Sequence, residues 1–102
     1  MATEEDEIKL RQITDGLYSS SSNYINAAFD KIDEAVKFLE GFKGINPGLD
    51  FSLACIKDYR NEMSHLNRAA KITRNNKIYF NHKMRLIADH AAVIDLKEYK
   101  VK

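Results

Sequence analysis

The stretch from Ile25 to Phe42, INAAFDKIDEAVKFLEGF, decides the fold. Its apolar residues Ile25, Ala28, Phe29, Ile32, Ala35, Val36, Leu39 and Phe42 recur three and four positions apart. That spacing puts them on one face of a helix. Asp30, Lys31, Asp33, Glu34, Lys37 and Glu40 fill the other side. A helix with one wet face and one apolar face must bury the second against other elements.

Working outward, the neighbouring segments also read as helices. On the N-terminal side, Thr3 with Asp6 forms a capping-box pattern, and Leu10, Ile13 and Leu17 follow at helical spacing. Gly16 and the run Ser19 to Ser22 place a break before the decisive stretch, because serine side chains compete for backbone hydrogen bonds. On the C-terminal side, Gly41 to Gly44 and the sequence GINPGLD predict a turn, with Asp50 capping a third helix. Cys55, Ile56, Tyr59, Met63, Leu66 and Ala70 form the expected buried face of that helix. Asn75 and Asn76 favour a turn, and a fourth helix is expected from about Ile78, with Phe80, Met84, Ile87, Ala91 and Val93/Ile94 inward. No alternating run argues for a sheet. The reading is all-α, a small antiparallel bundle of three to four helices in one domain, with residues 1–7 and 97–102 expected to fray.

The lone cysteine, Cys55, excludes an internal disulfide and fits a reducing compartment; its apolar neighbours make it an expected core residue. The opening MATEEDEIKL is acidic and lacks the apolar run of a secretory leader. No stretch approaches the roughly 18 apolar residues of a membrane span. A cytoplasmic protein away from the membrane is expected. Tyr18, Tyr24, Phe38, Phe42, Tyr79 and Phe80 are more aromatic surface than a small bundle easily hides, so a homodimer is expected.

Charge is divided unevenly. Residues 1–50 hold 5 Lys/Arg against 10 Asp/Glu, whereas residues 51–102 hold 11 against 5. The cations Arg68, Lys71, Arg74, Lys77, Lys83 and Arg85 follow one another with no acidic residue between them. A local field of that kind attracts phosphates even when the whole chain is near neutral. The same pattern also serves as a solubilising face.

Just before this cluster lies YRNEMSH, residues 59–65, with Arg60, Asn61 and His65. Histidine titrates near neutrality, so it can take a proton from a ribose 2′-hydroxyl or deliver one to a leaving oxygen. Arginine offers a permanently charged fork of donors for phosphate oxygens, and an adjacent amide can orient the scissile group. In an ideal helix Arg60 and His65 diverge by about 140°, so one copy of the pair does not close around a phosphate. Either the helix is irregular there or two chains bring their motifs together.

These residues resemble the Arg-x4-to-6-His signature of the HEPN superfamily, in which a polar residue commonly follows the arginine. The resemblance implies an all-α, typically dimeric domain acting as a metal-independent endoribonuclease in a toxin–antitoxin or phage-defence setting. It implies Arg60 and His65 as catalytic residues with Asn61 in support, and a cyclic phosphate left by 2′-hydroxyl attack. No cofactor or metal is implied; RNA is the implied substrate, and a regulatory protein a possible partner. Arg68, Lys71, Arg74 and Lys77 are the candidate RNA-binding residues. Family members paired with a nucleotidyltransferase carry a tyrosine two residues after the histidine. Asn67 stands there in this chain, so that mode of control is not carried over.

The same segment and its neighbours carry patterns of other chemistry. Glu62 and His65 have the Glu-x-x-His spacing of di-iron bundles, but no second such pair exists and both point away from the predicted core. His82, Arg85 and Asp89, with His90 beside them, form a polar stripe on the fourth helix and read as a solvated face with an Arg85–Asp89 pair. Ser64 beside His65 makes no triad, since adjacent side chains on a helix diverge. A non-catalytic helical module that binds a protein or RNA is the alternative function.

Overall fold

The computed structural model describes residues 2–69 and 71–96. Over these residues the chain forms α1 (Glu4–Tyr18), α2 (Ile25–Glu40), α3 (Pro47–Glu62) and α4 (Arg74–Ala92), with 3₁₀ turns at Ser22–Tyr24 and Ser64–Arg68. No strand is present among the described residues. Helix α1 packs on α2 and α4, and α3 packs on the same two, so the four close into a ring. Short connections between packed neighbours require successive helices to run in opposite directions. The expected all-α bundle is therefore the observed one, with four helices.

Each helix start has a local cause. The Thr3 side chain accepts from the Asp6 amide and the Asp6 carboxylate accepts from the Thr3 amide, closing the capping box. Glu4 to Glu7 thus form an ordered first turn of α1 where fraying was expected; the expected frayed tail, 97–102, lies outside the described residues. Asn46, and not Asp50, caps α3: its Oδ1 accepts from the Gly48 and Leu49 amides at 2.6 and 3.4 Å, with Pro47 at the first helical position. Asp50 instead accepts from the Gly44 amide at 2.9 Å and so fastens the preceding turn. Gly44 has φ of +91°, a backbone conformation costly for any residue with a Cβ. Asn46→Ala is expected to lower stability by about 1 kcal/mol, read as a shift in the urea midpoint, with Asn46→Asp close to wild type. An unchanged midpoint for the alanine variant would show that the cap contributes nothing.

The core is built from the decisive stretch and the faces turned towards it. Ala28, Phe29, Ile32, Ala35, Leu39 and Phe42 are buried, while Ile25 and Val36 are partly so. They meet Leu10, Ile13 and Leu17 of α1, Leu49, Leu53 and Ile56 of α3, and Phe80, Met84, Ile87 and Ala91 of α4. Phe80 is fully enclosed, its ring centroid 6.5 Å from that of Phe29. Burial of each such side chain stabilises by roughly 1.5–3 kcal/mol.

Four expectations are corrected here. Helix α4 begins at Arg74, because the Thr73 hydroxyl accepts from the Asn76 amide and caps it; Asn75 and Asn76 lie in its first turn. Cys55 is half-buried rather than part of the core, and Val93 is exposed. The aromatic excess is mostly absorbed: Phe42 and Phe80 are buried, and Phe38 and Tyr79 pack against the core, leaving Tyr18 and Tyr24 exposed. The aromatic residues therefore do not by themselves require a second copy. No helix among the described residues is long and apolar enough to cross a membrane.

Candidate functional site

The helix is irregular around the Arg60–His65 segment, one of the two arrangements that its sequence left open. Helix α3 ends at Glu62, the residue Met63 leaves helical geometry with φ −101° and ψ 7°, and Ser64–Arg68 continue as a 3₁₀ turn. The Ser64 hydroxyl donates to the Asn61 carbonyl at 2.8 Å, a local bond that competes with further α-helix. Met63 and Leu66, both buried, pin the 3₁₀ turn to the core. The expected continuous helix to Ala70 is thus interrupted, and Ala70 itself lies outside the described residues.

Arg60, in the last turn of α3, is held by α2. Its Nε and Nη2 donate to Oδ1 and Oδ2 of Asp33 at 2.5 and 3.2 Å, and its guanidinium carbon sits 5.5 Å from the Phe29 ring centroid. The bond to Asp33 raises the Arg60 pKa further above its ordinary value, so the charge is permanent. This pairing uses one side of the guanidinium. The two N–H bonds of Nη1 and the second of Nη2 make no hydrogen bond among the described residues. The carboxylate also offsets much of the arginine's field, so Arg60 is an oriented donor more than a bare charge.

Asn61 is exposed, and its side-chain amide has no hydrogen bond among the described residues. His65 is exposed on the 3₁₀ turn, its ring 6.3 Å from that of Tyr79. Among the described residues no hydrogen bond, ion pair or ring contact joins His65 to Arg60 or Asn61. The structure brings Arg60 and Asn61 to one helix end and His65 to the turn that follows it.

The basic residues divide into two groups. Arg68, Lys71, Arg74 and Lys77 are exposed and make no ion pair among the described residues. Lys83 is instead committed: its Nζ lies 2.6 Å from Glu62 Oε2, 4.9 Å from the Tyr59 ring centroid and 5.5 Å from that of Tyr79. Arg85 lies 3.9 Å from Asp89 along α4. Arg74 and Lys77 sit in the first turn of α4, which has no acidic residue. Cations there oppose the helix dipole, at a cost of about 0.3–1 kcal/mol each at an exposed site. Together with the dipole they produce a positive end attractive to phosphate.

The rival sites have structural roles. Glu62 is taken up by Lys83, and among the described residues no three His, Cys, Asp or Glu side chains are grouped to hold a metal. Asp89 accepts from the Tyr18 hydroxyl at 2.5 Å, which raises the Tyr18 pKa above its ordinary value and ties the end of α1 to α4. His90 packs against Tyr59 and Phe51, with ring centroids 5.8 and 6.2 Å apart. Sequence reasoning missed both the Asp33 tie and the Lys83 position between two tyrosines. Their acidic and basic partners are visible in the sequence, but pairing them requires the register of α3 against its neighbours.

No protein-family model, no curated protein and no solved structure matches this chain.

Proposed function

We propose that the chain is a small HEPN-like bundle that cleaves RNA without a metal, through Arg60, Asn61 and His65. The observation that supports this reading is the exit from α-helix at Met63, which sets His65 on an exposed turn that lies in sequence between an oriented arginine and four cations without an ion pair among the described residues. In the reaction His65 takes the proton of a ribose 2′-hydroxyl, whose oxygen attacks the adjacent phosphorus. The bond to the 5′-oxygen breaks, that oxygen receives a proton, and a 2′,3′-cyclic phosphate remains. Arg60 donates its remaining N–H groups to the non-bridging oxygens as charge develops, and Asn61 orients the scissile group. Arg68, Lys71, Arg74 and Lys77 hold the backbone on either side. A homodimer would supply a second His65 as the acid, which gives the dimer a chemical role. A toxin-like or defence setting in the cytoplasm, with a regulatory protein partner, belongs to the same reading.

The test is incubation with labelled RNA in EDTA at a series of salt concentrations. Fragments are expected at low salt, with binding that weakens at a log–log slope of about −3 for four phosphate contacts to a single strand. One observation favours the alternative of a non-catalytic interaction module: Asp33 already takes two of the five N–H donors of Arg60. RNA binding with that slope but without fragments would select the module.

A further inference from the structure

Resting on the RNA reading, we infer that the end of the bundle between the Ser22–Tyr24 turn and the α3–α4 connection is a binding site for single-stranded RNA, with Tyr24 as its stacking platform. Two adjoining concavities of about 450 and 400 Å³ share Asn23 at this end. The first is lined by Tyr24, Asn26 and Asn67, the second by Lys71 and Lys77. Neither has an aspartate or glutamate among its described lining residues. That absence stands out on a chain carrying 15 acidic residues.

The donor set matches one ligand chemistry. Tyr24 is 72% exposed, and among the described residues its ring has no ring or cation contact and its hydroxyl no hydrogen bond. It cannot be explained by core packing, unlike Phe80 or Tyr79. The side-chain amides of Asn23, Asn26 and Asn67 are likewise unengaged; Asn23 contributes only its backbone N–H, to the Ser21 hydroxyl. Each amide can donate and accept at once, as the edge of an unpaired base requires. Lys71 and Lys77 supply charge for the phosphates on the adjoining side. A face for stacking, amides for base edges and cations for backbone are together the equipment for a single strand. In a duplex the base faces are stacked on one another and offer nothing to Tyr24.

The site is also placed to serve the proposed chemistry. Asn67 lies two residues after His65 on the same 3₁₀ turn, so the site adjoins in sequence the residue that carries the proposed chemistry. The inference therefore adds a strand preference and a holding residue on α2's approach, which the motif alone does not contain.

Fluorescence anisotropy with 2′-O-methyl RNA, which lacks the attacking hydroxyl, separates binding from cleavage. The probes are a short labelled single strand and a blunt duplex of the same sequence. The single strand is expected to bind more tightly. Tyr24→Ala should weaken it by about five- to hundredfold, the range of one lost base stack, while Tyr24→Phe retains binding. Lys71→Gln with Lys77→Gln should flatten the salt slope by about 1.4. Equal affinity of Tyr24→Ala and wild type, or equal affinity for strand and duplex, would overturn the site. If unmodified RNA is nevertheless cut, the nuclease reading stands and this site alone falls. Tyr24-dependent binding without cleavage of unmodified RNA would instead retain the site and remove the nuclease.

Discussion

Phe80→Ala is expected to destabilise the bundle by about 3–5 kcal/mol, the usual cost of emptying a fully enclosed aromatic position. Phe80 is 0% exposed and points from α4 into the middle of the bundle, with Phe29 of α2 against its ring. A domain of this size has roughly 5–15 kcal/mol in all, so the variant should be partly unfolded under mild conditions. Urea denaturation followed by far-ultraviolet circular dichroism measures the loss. Phe51→Ala provides the contrast, because Phe51 is 66% exposed and should cost little. Similar losses for the two variants would mean that α4 does not carry the core contact described.

His65→Ala is expected to reduce RNA cleavage by about 10²–10⁴-fold, the contribution of a positioned acid or base. Because His65 is exposed and makes only a ring contact with Tyr79, the variant should keep the wild-type melting curve. Arg60→Ala is a less specific probe. It removes the tie to Asp33 and the contact with Phe29 together with any phosphate donor, so lost activity could follow from a loosened α2–α3 contact. Asp33→Asn helps to separate these roles, since it relaxes the tie and leaves the guanidinium in place. Retained cleavage by a folded His65→Ala protein would remove histidine from the chemistry.

What could be read from the sequence follows from the range of the interactions involved. The apolar stripe of α2 is a repeated local pattern, and every residue in it is buried or partly buried. The Thr3–Asp6 capping box is equally local, spanning three residues, and both of its hydrogen bonds are present. Errors arose where two local signals competed. Asp50 is the cap the sequence suggests for α3, but Pro47 at the first helical position gives that role to Asn46, and Asp50 holds the Gly44 turn. Asn75 and Asn76 favour turns, yet the Thr73 cap and the buried Phe80 draw them into α4.

The candidate site was legible as chemistry but not as geometry. Arg60, Asn61 and His65 announce themselves by residue type and spacing. The end of α3 between them does not, because it depends on Met63 and Leu66 both finding places in the core. Asp33 read as a solvated residue on the polar side of α2, and only the packing of α3 on α2 makes it the partner of Arg60. Tyr24 was counted among aromatic residues seeking cover. Its exposure next to the concavity lined by Lys71 and Lys77 comes from the placement of the Ser22–Tyr24 turn, which no local pattern specifies.

The central claim is attack by a ribose 2′-hydroxyl without a metal. Its most direct test is to incubate the purified protein in EDTA with an RNA and with the DNA of the same sequence, then identify the fragment ends. The account predicts that only the RNA is cut and that its fragments end in 2′,3′-cyclic phosphate. An intact RNA, or a DNA cut as readily as the RNA, would contradict it.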